Sequence, residues 1–176
     1  MNAALSHLHY HDQYVTVYNK ACDHREADVI VLDPPHFLED VETYKSKVKI
    51  IFTGQLADKY IEKVGGVSAL WWKEVPDELT GLMYRYDDMM VVTGMDIPEE
   101  LGGFYSPPVY NLFHQYQRPV RLLISLLEDT EGDVLDPFCG SGSTAVACKL
   151  LKRKCIVYDI DEQYCEITAN RLRSFK

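Results

Sequence analysis

Asp33-Pro34-Pro35 and, far downstream, Asp136-Pro137-Phe138-Cys139-Gly140-Ser141-Gly142-Ser143 are the two runs best equipped for chemistry. A carboxylate beside two prolines offers hydrogen-bond acceptors with no backbone donor next to it, because proline carries no N–H. A turn of small residues opening a helix lets the backbone come close to a cofactor. An acceptor site and a cofactor loop in one chain point to group transfer onto an amino group.

Gly140 and Gly142 fall where backbone must approach a ligand, with Ser143 or Thr144 as the helix N-cap. The same turn could hold a nucleotide phosphate. The chain lacks, however, the Lys-Ser/Thr ending of a P-loop and the third glycine of a dinucleotide fingerprint. Asp159 closes the next expected strand, where an acid can accept from both hydroxyls of a ribose. Its other use is to cap the last helix, but Asp161 is available for that. Strand, glycine turn, helix, strand and acid read as an adenosine-binding unit.

The elements that must position these residues follow from apolar periodicity. Strands are expected over 14–19, 29–33, 49–53, 67–73, 89–93, 133–136 and 155–160, and helices over 55–64, from Pro119 through Leu127, 144–151 and 162–172. Gly65-Gly66 stops the first helix. Strands alternating with helices imply a largely parallel sheet covered on both faces. Residues 94–113, rich in Gly and Pro, read as a short loop or insert, and the whole of 1–176 as one domain. In such a sheet ligands bind beyond the carboxyl ends of the strands, where both motifs fall.

With 47% apolar and 26% charged residues over 176, the chain can bury a core of its own. No apolar run reaches a membrane span, and 1–19 lacks the basic start and apolar centre of a signal peptide, so a cytoplasmic protein without membrane contact is expected. Five cysteines without a C-x-x-C pair read as reduced thiols. His7, His9 and His11 would share a face on a strand, but nothing at sensible spacing completes a metal site, and none is expected. A net charge of −9 argues against a broad grip on nucleic acid. Lys45, Lys47 and Lys49, then Lys149, Lys152, Arg153 and Lys154, form either a local basic face or ordinary solvated ends. Of Trp71 and Trp72 one is expected in the core and the other at an interface or near the site, with Tyr84 and Tyr86 nearby.

The run Asp136 to Thr144, the preceding 114–123 with His114, Gln117 and Arg118, the following 156–164, and Asp33-Pro-Pro together resemble the β-class, permuted-order amino-group DNA methyltransferases, the adenine-N6/cytosine-N4 family. The resemblance implies a Rossmann-like S-adenosylmethionine-dependent methyltransferase sheet, seven strands with one antiparallel, in which 14–19 lies beside 155–160. It also implies a cofactor, S-adenosylmethionine, held by Asp136, Phe138, Gly140, Ser141, Gly142, Ser143, Thr144 and Asp159, with His114, Gln117 and Arg118 lining the pocket.

By the same resemblance the catalytic residues are Asp33, Pro34, Pro35 and His36. Asp33 and the Pro34 carbonyl would accept the N–H bonds of an exocyclic base amine, most simply adenine N6, flipped out of DNA. His36 stands where the family carries Tyr, Phe or Trp, and Ala21 where an acid commonly meets the cofactor adenine, with Asp23 two positions on. Only 94–111, with Tyr105 and Tyr110, stands where sequence-reading members carry a recognition region. The implied partner is DNA, with limited intrinsic sequence recognition and a homodimer mate or specificity subunit to supply the rest, as in restriction-modification. The alternatives are a cofactor-binding subunit supporting another methyltransferase, or an enzyme acting on RNA or a free nucleotide.

Overall fold

The computed structural model describes residues 7–76, 80, 82–97, 101, 104–105 and 117–175. In chain order the elements are β1 (Leu8–His11), β2 (Val15–Asn19), β3 (Val29–Leu32), β4 (Val48–Phe52), α1 (Ala57–Val64), β5 (Val67–Pro76), β6 (Met83–Thr93), β7 (Phe104–Tyr105), α2 (Val120–Leu127), β8 (Val134–Asp136), α3 (Ser143–Leu150), β9 (Cys155–Asp159) and α4 (Glu162–Ser174). The strands form one sheet in the order β1-β2-β9-β8-β3-β4-β6-β5-β7.

The five strands from β2 to β4 run parallel, β6 runs against β4, and β5 runs against β6. This is the expected sheet with one reversed strand, and β2 lies beside β9 although the two come from opposite ends of the chain. Two edge strands enlarge it. β1 folds back on β2, and the two-residue β7 adds to β5.

Val29–Leu32 and Val48–Phe52 are buried along their whole length because helices cover both faces of the sheet. Side chains alternate between two cores. Val29, Val31, Ile50, Phe52, Met90, Val134 and Val157 face α2, α3 and α4, whose Leu122, Leu126, Ala145, Cys148 and Leu172 pack on them. Ile30, Leu32, Ile51, Val91, Leu135 and Tyr158 face α1 and the turn at Val41, meeting Tyr44, Ala57 and Tyr60.

The structure differs from the periodicity reading in two places. The hairpin strands run to Pro76 and from Met83, longer than 67–73 and 89–93, and β1 was not expected. The extra hairpin residues are mostly exposed, so no buried face marks them in sequence. In the 94–113 segment, β7 is ordered backbone on β5, and 98–100, 102–103 and 106–113 lie outside the described residues. No helix among the described residues is long and apolar enough to cross a membrane.

The basic clusters do not form one face. Lys47 pairs with Asp28, Lys49 is buried with its Nζ donating to the Val41 carbonyl, and Arg153 donates to carbonyls of Leu127, Thr130 and Gly132. His9 lies near Glu162 and Glu166, His11 bonds Thr16, and no metal-type cluster occurs among the described residues.

Asp12 ties β1, β2, α3 and α4 together. It accepts from Tyr10, from the Tyr14 and Val15 amides, and from Lys149, which also donates to the Leu172 carbonyl. Burial works to raise the Asp12 pKa, but these donors outweigh it and hold the carboxyl well below the usual range. A depressed carboxylate contributes stability above its unfolded pKa of about 3.9, lost as pH falls toward its folded value. Urea midpoints should therefore drop between pH 6 and pH 3, by the equivalent of about 1–2 kcal/mol from this group, and Asp12→Asn should remove that part of the slope.

Candidate active site

Parallel strands bring their carboxyl ends to one rim. Chain order reverses between β8, whose successor β9 lies on one side, and β3, whose successor β4 lies on the other. A crevice opens at such a switch point. Here it is a cleft of about 680 Å³ whose lining includes Ala21, Cys22, Asp33, Pro34, Pro35, Phe52, Gln117, Arg118, Asp136, Phe138, Gly140, Ser141, Ser143, Thr144, Asp159, Ile160 and Tyr164.

Most of the expected site residues thus share one cavity. Gly142 is not in its lining; it closes the turn behind, at φ +82°, where a Cβ would come within 2.5 Å of the Thr168 side chain. His36 is exposed and outside the lining, while its neighbour Phe37 turns edge-on to Tyr60 at 5.0 Å. His114 lies outside the described residues, as does Tyr110. Asp23 is exposed and pairs with Lys20 at 2.6 Å, so of that segment Ala21 and Cys22 meet the cleft instead.

The glycine loop is built from its own backbone and from α4. The Cys139 amide donates to the Tyr158 carbonyl and Gly142 to the Cys139 carbonyl, while Thr168 donates to the Gly140 carbonyl and Arg171 to that of Ser141. Gly140, at φ +48°, has nothing within 4 Å of where a Cβ would stand. The N-cap of α3 is Gly142, not Ser143 or Thr144, and carries no side-chain cap. Those hydroxyls are used elsewhere: Ser143 donates to the Arg118 carbonyl at 2.7 Å, and Thr144 bonds Asp136. The first amides of α3 are left to whatever occupies the cleft.

Three carboxyl groups stand on the rim, each in a different setting. Asp159 accepts from the Gly140 amide at 2.8 Å and the Asp161 amide at 2.9 Å, and Asp161 caps α4 through the Gln163 amide. Asp136 is fully enclosed; burial pushes its pKa up to about 7, against hydrogen bonds from Thr144 and the Phe138 amide. Asp33 is gripped by Arg118 through two parallel bonds, Nε to Oδ2 and Nη2 to Oδ1, both 2.9 Å.

The third arm of Arg118, Nη1, reaches Asp88 Oδ2 at 2.7 Å, and its plane lies over Phe52 and Trp71 at 4.8 and 5.3 Å. Burial works to lower the Arg118 pKa, but Asp33 and then Asp88 reverse it and the net shift is upward. Asp88 belongs to the stretch of β6 that overhangs β4, and sequence reading missed it. Lys73, opposite Tyr86 in the hairpin, is buried with its Nζ donating to the Gln117 carbonyl at 3.2 Å. Trp71 is core, and Trp72 lies half-buried on the opposite face under Arg85. Ile160, 79% exposed although apolar, and Tyr164 were also missed; both follow Asp159, the one signal that could have marked them.

A family model described as DNA methylase matches residues 42–170. The type II methyltransferase M2.DpnII of Streptococcus pneumoniae is 44% identical over 109 residues, covering 58% of this chain and 41% of that protein. The type II methyltransferase M.HindIII of Haemophilus influenzae is 43% identical over 63 residues, 34% of this chain and 20% of its own length. The chain thus spans less than half the length of these curated relatives. Among solved structures, the M1.HpyAVI–SAM complex superposes with a TM-score of 0.61 at 20% identity, over 83% of this chain and 89% of the other. The PvuII DNA methyltransferase (cytosine-N4-specific) gives 0.62 at 14% identity, over 90% and 86%. At these identities the likeness is one of fold.

A raised carboxyl pKa has a definite effect on stability. Unfolded Asp136 ionises near pH 4, whereas the folded group keeps its proton to about pH 7, so its contribution is full below pH 4 and is lost as pH rises. The loss is of order 3 kcal/mol across pH 4–8. Asp136→Asn keeps the shape and the acceptor oxygen, and should unfold at higher urea than the wild type at pH 8 while showing no such gain at pH 4.

Proposed function

The chain belongs to the DNA methylase family, and from that premise we propose that it transfers a methyl group from S-adenosylmethionine to the exocyclic amino group of a DNA base, adenine N6 before cytosine N4. The observation that carries this reading is that Asp33-Pro34-Pro35 and the glycine loop line one cleft. The cofactor is the family's own, and the residues fit it. Asp159 stands where a ribose would be held, Gly140 leaves room for close approach, and the uncapped start of α3 presents amides suited to a carboxylate. When bound, the cofactor supplies an electrophilic methyl on a sulfonium.

The work of this chain is to hold the amine. An exocyclic amino nitrogen is a weak nucleophile because its lone pair is delocalised into the ring. Asp33 and the Pro34 carbonyl accept its N–H bonds and draw density onto nitrogen as the N–C bond forms and the S–C bond breaks. One amine proton then leaves, through Asp33 or directly to water. No cysteine is needed as a nucleophile: Cys22 is pushed up to about 11, chiefly by burial, and Cys139 is enclosed and held well above the usual thiol range by the same cause.

Asp before the two prolines resembles adenine-directed members, which is why adenine comes first. His36 takes no part in the cleft in this conformation, so we assign it to contact with a flipped base only after that base has entered. Residues 94–119, which separate β6 from α2, are few for reading several base pairs, and we assign that reading to a partner subunit or a second copy acting beside this domain. A supporting role beside another methyltransferase chain is the second reading, favoured by the acidic balance of −9.

Incubation with S-adenosylmethionine and unmodified DNA, digestion to nucleosides and mass spectrometry should reveal N6-methyladenine. In Asp33→Ala the yield should fall by about 10²-fold or more while calorimetric affinity for the cofactor is kept. N4-methylcytosine in its place would reassign the base. Neither product, with cofactor bound, would favour the supporting subunit.

A further inference from the structure

Asp33, Asp88 and Arg118 come from three elements distant in sequence and meet through one guanidinium. The Arg118 fork uses one lone pair on each Asp33 oxygen, at 2.9 Å. An ionised carboxylate has about four acceptor positions, so two remain for a donor entering the cleft. A bidentate pair also fixes the plane of the carboxylate, which a single point charge cannot do.

The arginine is itself immobilised. Nη1 is held by Asp88 Oδ2 at 2.7 Å, and the other Asp88 oxygen accepts the Met89 amide at 2.9 Å. Phe52 and Trp71 pack against its plane. Its backbone is pinned on both sides: Ser143 donates to the Arg118 carbonyl, and Lys73 to the carbonyl of Gln117. Asp33 is 31% exposed, Arg118 13% and Asp88 8%, so the exposed end of the chain of contacts is the carboxylate that faces a substrate.

We propose that Arg118, backed by Asp88, is a positioning residue that fixes the plane of the Asp33 carboxylate to receive the amino group of the base. The role rests on the proposed methyl transfer and differs from the cofactor contact expected of Arg118 from sequence. It requires the fork and not merely the charge. Arg118→Lys keeps the charge and loses the fork; Asp88→Asn keeps the shape and releases the guanidinium from its second carboxylate. Neither leaves a large cavity.

Steady-state methyl transfer, with cofactor affinity measured separately by calorimetry, tests the role. Arg118→Lys should lose kcat by about 10²-fold and Asp88→Asn by about tenfold, with the cofactor Kd within about twofold of wild type. In Arg118→Ala, added guanidinium should restore kcat saturably and leave that Kd unchanged. Wild-type kcat in both Arg118→Lys and Asp88→Asn overturns the positioning role. So does a loss that lies wholly in cofactor Kd, which would make Arg118 a cofactor ligand. A wild-type protein inert on every amino-bearing base overturns the proposed function and this role with it, a result read before any variant is compared.

Discussion

Parallel strands must all end on the same side of their sheet, and every residue that follows such a strand is delivered to one rim. In this chain that rule collects Asp33 after β3, Asp136 from β8 and Asp159 from β9 around one cleft. Three like charges in a partly enclosed space repel one another, and each is handled differently. Asp33 takes a guanidinium, Asp159 takes two backbone amides, and Asp136 keeps its proton to about pH 7. The Asp33 arrangement leaves an anion with acceptor positions open toward the cleft, its plane fixed by the guanidinium, which suits it to an amine.

The centre of the sheet was legible because its strands are mostly buried and read as largely apolar runs. Val29–Leu32, Val48–Phe52 and Cys155–Asp159 lie within a residue or two of their expected ends. The glycine loop was legible because only Gly adopts its positive φ without strain, at Gly140 and Gly142. Seeing β2 beside β9 needed the family resemblance, since no local pattern joins strands from opposite ends of a chain.

What sequence did not reveal depends on register. Asp87 and Asp88 are adjacent acids on a polar strand, and only the pairing of Trp71 with Asp88 turns one of them inward to Arg118. Arg118 and Asp33 were both expected in the site, but their pairing was not, because a salt bridge across 85 positions leaves no trace in spacing. Ser143 was expected to cap a helix; its hydroxyl instead fastens the Arg118 backbone, a choice between two acceptors that the residue type alone cannot make. Thus the loop of residues 138–144 and the carboxylate of Asp33 are mechanically joined through residue 118.

The neighbourhood of β2 and β9 also has a consequence for how the molecule comes into being. Val15 and Val17 are buried, yet the strand that covers the inner hydrogen-bonding edge of β2 begins only at Cys155, far along the chain. Until then β2 has only the short hairpin partner β1, an apolar ribbon with one side of its ladder unfilled. Such long-range pairing raises contact order and delays closure of the sheet. The two cores therefore seal only once β9 is in place, and a chain still lacking it would meet chaperones with that edge open.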